Sequence, residues 1–162
     1  IAKIADNTDV VFVTFQVASK SQQVAEGLSK AGKKAVVFGS DGSFSSEFKT
    51  VGAYVSAFAP DISGIPAAAS VADAYTAAYG KFGTYGPPAY VATQAILEAA
   101  QRACKTAGTS ADRSGVLAEL PNTNITNSIL GHDVRFDSNG DIEGGKFYIF
   151  RIDDSGTPVM AP

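Results

Sequence analysis

Residues 9–15 read DVVFVTF, an unbroken run of β-branched and aromatic side chains with a single charge at its start. No other stretch restricts the fold as much. A strand with water on one face alternates apolar and polar residues. A strand without that alternation is covered on both faces, as in a parallel sheet flanked by helices. A parallel neighbour needs a crossover, and the next residues supply one. Val24, Leu28 and Ala31 recur at helical spacing over residues 19–31, Ser19 or Ser21 is available as a cap, and Gly32 follows as a stop. Residues 35–38 (AVVF) then read as a second buried strand. Residues 9–38 are therefore expected to form a right-handed strand–helix–strand unit, the opening of an α/β fold.

The remainder predicts a mixed order of elements. A polar loop, Gly39-Ser40-Asp41-Gly42-Ser43, follows the second strand, with a short helix expected near residues 46–50. Residues 53–58 (AYVSAF) alternate as a strand does, and residues 60–66 read as a linker between prolines. An Ala-rich helix over 67–79 ends at Gly80, and a long helix over 89–105 is apolar on most sides and so expected to be well buried. A modest helix is expected over 112–120. Residues 129–136 and 147–152 read as two strands joined by Asp137-Ser138-Asn139-Gly140-Asp141, where Asn139-Gly140 is a strong turn signal. The opening IAKIA reads as the end of a helix already under way, so the chain is expected to begin inside a domain.

Several function classes are disfavoured. The net charge is -3 and the basic residues are scattered, whereas nucleic-acid binding needs a concentrated cationic face. The apolar runs are too short to span a membrane. Cys104 has no second cysteine to pair with and reads as a small buried side chain on a helix. His132 beside Asp133 reads as a turn or surface pair. DSNGD at 137–141 departs from a calcium loop, whose sixth position must be Gly and twelfth Glu; here they are Ile142 and Tyr148. Gly144-Gly145-Lys146 lacks the spacing of a phosphate loop. With no paired carboxylates, metal-ligand cluster or nucleophile elbow, the expectation is a protein that is not an enzyme and uses neither metal nor cofactor. Asp41 remains. It stands between two glycines at the end of a buried strand, the end at which open α/β sheets hold ligands. Its carboxylate there either accepts charge-assisted hydrogen bonds from a ligand ammonium or caps the following turn through backbone N–H groups.

The order of these pieces resembles the type I periplasmic binding proteins of the branched-chain amino acid class. The likeness runs from DVVFVTF through SKAGKKAVVFGSDGS and AYVSAFAPDI to AYTAAYGKFGTYGPPAYVATQAILEAAQRA, and closes on VRFDSNGDIEGGKFYIFRI. The resemblance implies a Rossmann-like three-layer α/β lobe with a mainly parallel sheet, present only as the C-terminal half of a two-lobed protein. It assigns residues 1–58 to the second lobe, 59–126 to a helical segment of the first, and 127–162 to a hinge strand and closing hairpin of the second. It implies an extracellular or periplasmic component of an ABC transporter, with a lipid anchor among the expectations for its complete form, that captures an amino acid or similar small polar solute by hinge closure and hands it to a membrane permease. A ligand-sensing domain of the same fold is the alternative, and a flavodoxin-like enzyme a more distant one. Asp41 matches the family's acidic ammonium contact. Ser40 and Ser43 would add hydroxyls, and Gln16 or Val17 stands where the family carries an aromatic contact. Tyr85 and Tyr90 would face the ligand from the other lobe, although Tyr90 also fits a core position. Ser56, Ala57, Phe58, Ser128 and Ile129 are the expected hinge. The helical segment 67–105 would leave apolar surface exposed, from which a homodimer of this piece is expected.

Overall fold

The computed structural model describes residues 1–58, 62–80 and 82–161. The chain divides into two compact units, Ile1–Phe58 with Phe147–Pro162, and Ala59–Lys146. The expected third segment is thereby cut in two. Only its closing strands belong with residues 1–58, and residues 127–146 cluster with the helical segment.

The first unit is built on a five-stranded sheet in the order β1 (Val10–Val13), β2 (Val36–Gly39), β3 (Tyr54–Ala57), β4 (Tyr148–Ile152) and β5 (Pro158–Met160). β1, β2 and β3 are parallel, with Val11 opposite Val37 and Phe38 opposite Tyr54. β4 runs antiparallel to β3, with Val55 opposite Phe150, and β5 antiparallel to β4. Helix α1 (Ala18–Lys30) makes the crossover from β1 to β2. It buries Ala18, Ser21, Ala25 and Leu28, spaced three or four residues apart, in a core with Val13, Val37, Phe48, Ala53 and Ile152. Gly32, at φ +68°, ends it as the sequence predicts.

Strand β1 is not covered on both faces within this unit. It is an edge strand, and while Val13 is buried, Val10 and Phe12 are 53% and 58% exposed. Phe12, Phe38 and Tyr54 form an edge-to-face aromatic row along that open face, with centroid separations of 5.5 and 6.3 Å. Two local expectations also fail. Residues 1–7 form turns, and residues 46–47 form a turn, with the one helical turn of this loop falling earlier, at Asp41–Ser43.

The second unit holds α2 (Ala69–Tyr79), α3 (Gly86–Ala107) and α4 (Arg113–Glu119). Helix α3 starts earlier than predicted because Pro87 and Pro88 stand in its first turn, where a missing N–H costs nothing. It buries one stripe, Pro87, Val91, Ala95, Ala99 and Ala103, and leaves Ile96 and Leu97 exposed. The expectation of a helix buried on most sides is thus corrected, and with it that for Cys104, which lies on α3 and is exposed. Ile62, Ala68, Val91, Ala95, Ile125, Ile129, Leu130 and Val134 form this unit's core.

The predicted hairpin at Asn139-Gly140 is a turn without a ladder. Asp137 Oδ1 accepts from the N–H groups of Asn139 (2.8 Å) and Asp141 (3.0 Å), and Phe136 bridges Ile142. Gly144, at φ +65°, then turns the chain again before pairing can propagate. The hairpin that does form joins β4 to β5 around Asp153-Asp154-Ser155-Gly156, and residues 129–136 contribute only isolated bridges.

Candidate functional site

The C-terminal ends of β1, β2 and β3 lie side by side because the three strands are parallel. Such ends are where α/β sheets present ligand-binding loops. After β1 the chain passes through Phe15, Gln16 and Val17, all exposed, before α1 begins. After β2 it makes the short turn Asp41–Ser43.

The second loop is seated on the first. Ser40 N–H donates to Val13 O at 2.9 Å, anchoring the loop at the end of β1. A Cβ added to Gly42 would stand 2.4 Å from Phe15 O and 2.7 Å from Gln16 Cα, so the two loops touch backbone to backbone and only glycine fits. One added to Gly39 would stand 2.6 Å from Ser43 Cβ, so Ser43 rests directly on the end of β2. Asp41 lies between these fixed points, half-buried, at the start of the turn.

The structure brings Gln16, Ser40 and Asp41 onto adjoining loops, and it separates Ser43 from them in role. Ser43 is 1% exposed, and its hydroxyl lies 2.6 Å from that of Ser21, which is 0% exposed. Ser43 therefore does not offer its hydroxyl to a solute. The sequence offers Ser19 or Ser21 as the helix cap. The N-cap is instead Val17, without a side-chain bond, and Ser21 sits one turn inside α1 on its buried stripe. A polar residue among Ala18, Ala25 and Leu28 at core spacing was the sequence signal for it. The Ser40 hydroxyl is buried and makes no hydrogen bond among the described residues.

Tyr85 and Tyr90 belong to the second unit, at the start of α3, and both are exposed, which removes the core reading of Tyr90. Ser56 and Ala57 lie in β3, and Phe58 is the last residue before the chain passes to the second unit. Ser128 and Ile129 are not at a passage between units. They are buried in the second one, where Ser128 Oγ donates to His132 O (2.6 Å) and accepts from Leu130 N–H (3.2 Å). The return passage is at Lys146 and Phe147. His132 bonds Asp133 O through Nδ1 (2.9 Å), a local turn contact. Among the described residues no group of His, Cys, Asp and Glu is placed to hold a metal ion, and no helix is long and apolar enough to cross a membrane.

No family profile matches the sequence, and no curated protein matches it. Solved structures do. A leucine-binding protein, LivK, from Thermotoga maritima superposes with a TM-score of 0.79 at 19% identity, over 96% of this chain and 44% of its own. The fold is that of type I periplasmic binding proteins. The branched-chain amino acid substrate-binding protein LivJ of Streptococcus pneumoniae, solved with isoleucine, matches at 0.68 and 19%, over 94% of this chain and 45% of its own. A fatty acid ABC transporter substrate-binding protein from Thermomonospora curvata matches at 0.73 and 19%, over 94% and 42%. The chain spans less than half the length of each.

Proposed function

We propose that this chain is part of a solute-binding protein that captures an amino acid or similar small polar solute and delivers it to the membrane permease of an ABC transporter. The observation that carries the reading is the Asp41 loop, held between two close-packed glycines at the C-terminal ends of the parallel strands. In this reading the Asp41 carboxylate accepts hydrogen bonds from the solute ammonium, where a charged acceptor is stronger than a neutral one. Gln16 and Ser40 flank it on the adjoining loops. Capture proceeds by hinge closure, which the solute favours only by binding the closed form better. No covalent bond is made or broken, and the protein works outside the cytoplasmic membrane.

The test is a thermal-shift panel of amino acids and small carboxylates on the protein at the length its gene encodes, followed by calorimetry. A true solute raises the melting temperature with the logarithm of its concentration. Asp41→Asn then weakens binding by about ten- to a hundredfold, as expected for loss of a charge-assisted bond. Full affinity in Asp41→Asn removes the ammonium contact, and silence across the panel removes the amino acid class. The likeness to a fatty-acid-binding relative favours one second reading, an apolar carboxylate solute, so the panel includes a medium-chain fatty acid.

A further inference from the structure

Among the described residues, the Ser21–Ser43 pair is the one fully buried side-chain hydrogen bond between α1 and the loop that carries Asp41. Both hydroxyls sit where their neighbours are apolar. Ser21 shares its helix stripe with Ala18, Ala25 and Leu28, and Ser43 is packed over Gly39, whose absent side chain makes room for it. A hydroxyl taken out of water without a partner is costly, so each depends on the other. A pair of alanines would fill nearly the same space without that dependence. What the hydroxyls add is direction, because a hydrogen bond fixes distance and angle, whereas a methyl contact lets the loop slide.

The anchoring is asymmetric in a useful way. On its N-terminal side the loop is tied through Ser40 N–H to Val13 O, backbone to backbone. On its C-terminal side the buried tie is the side-chain bond from Ser43 to the helix. Gly42 between them is pressed on Phe15 and Gln16. Asp41 is thus carried on a three-point mount referred to β1, the loop after it and α1. We infer that Ser21 and Ser43 are positioning residues: their hydrogen bond locks the loop so that Asp41 is held ready for its solute. The statement about the solute rests on the function proposed above. The statement about the loop does not.

The experiment compares wild type, Ser21→Ala, Ser43→Ala and the double variant in the full chain, by thermal unfolding, by amide hydrogen exchange of residues 40–44, and by calorimetry with L-leucine as probe. Each single variant strands a buried hydroxyl and should melt lower. The double variant strands none and should recover most of the melting temperature. Recovered stability with loop exchange still accelerated about tenfold or more, and leucine affinity still reduced about fivefold or more, is the expected result. If loop exchange in the double variant equals wild type, the pair is packing only and the inference is overturned. If wild type does not bind leucine yet exchange in the double variant is accelerated, the positioning role stands and the amino acid reading is what fails.

Discussion

Replacing Gly42 by Ala tests how tightly the Asp41 loop is seated. The new Cβ would lie 2.4 Å from Phe15 O, 2.7 Å from Gln16 Cα and 3.2 Å from Gln16 C, all backbone atoms. Relaxed carbon contacts begin near 3.5 Å, so one loop must retreat from the other by about 1 Å. Nothing here swings aside as a flexible side-chain tip would. Overpacking of this kind costs about 1–3 kcal/mol. With a urea dependence of about 1–3 kcal/mol per molar, the unfolding midpoint should fall by about 1 M. Gly83→Ala is the control: its φ lies outside the left-handed region and nothing stands within 4 Å of its Cβ position. That change should be neutral or stabilising by up to about 1 kcal/mol, through reduced freedom of the unfolded chain. Urea titration followed by circular dichroism gives the midpoints, and hydrogen exchange at β2 and β3 assigns the loss to the first unit. If the Gly42→Ala midpoint stays with that of Gly83→Ala, the backbone contact is not as described and the mount for Asp41 loses its central point.

Other outcomes follow from the same structure. Asp153 Oδ1 accepts from Ser155 Oγ (2.6 Å), Thr157 N–H and Ser155 N–H (both 2.9 Å), and these donors, the Ser155 hydroxyl first, hold its carboxyl below the ordinary 3.8. A carboxyl lowered on folding stabilises fully above its unfolded value and loses that contribution as pH falls through the folded one. Protection of the Ser155 and Thr157 amides should therefore persist below the ordinary 3.8 and be lost only as pH falls through the lowered folded value, and an NMR titration of Asp153 with its midpoint at or above 3.8 would refute this. Asp112 caps α4 by accepting from Gly115 N–H and Ser114 Oγ, both at 2.8 Å. Asp112→Ala should speed exchange at Gly115 and Val116 while Asp112→Asn, which keeps an acceptor, spares them; equal effects would contradict the cap. Ala99→Leu should cost about 1–3 kcal/mol and Leu97→Lys no more than about 0.5, read by urea unfolding, because α3 buries the first and leaves the second 58% exposed. A reversed order would restore the fully buried helix.

The strand–helix–strand opening was legible because its signals are local. An unalternating apolar run, a helical stripe ending at Gly32 and a second run need no knowledge of what lies elsewhere. The exposed face of β1 was not legible, because cover comes from other elements and the run reads the same whether or not they are present. The turn at Asn139-Gly140 was visible for its residue types, but whether a turn becomes a hairpin depends on the residues beyond it, and Gly144 diverts them. The β4–β5 hairpin was missed although Asp153-Asp154-Ser155-Gly156 carries the same kind of signal, since only three residues, Pro158–Met160, pair after it. Within the candidate site, the place of Asp41 and its glycines at the end of β2 could be read from position. Ser21 could not, because its partner lies 22 residues away on another element.

In the proposed function, the glycines and the hydroxyl pair act on one quantity, the freedom of Asp41 before a solute arrives. Fixing a side chain and its loop at the moment of binding costs about 0.5–1.5 kcal/mol per ordered side chain, and that cost is subtracted from affinity. Here the ordering is done during folding: Ser40 N–H on Val13 O, Gly42 against Phe15 and Gln16, and Ser43 on Ser21 each remove one way for the loop to move. These restraints come from β1, the loop after it and α1, all parts of the crossover unit. The unit that the sequence defines most firmly is therefore also the one that orients the carboxylate. A change at any of the three mounts should alter the loop while leaving the chemistry of Asp41 itself intact, which is the behaviour that separates a mount from a contact.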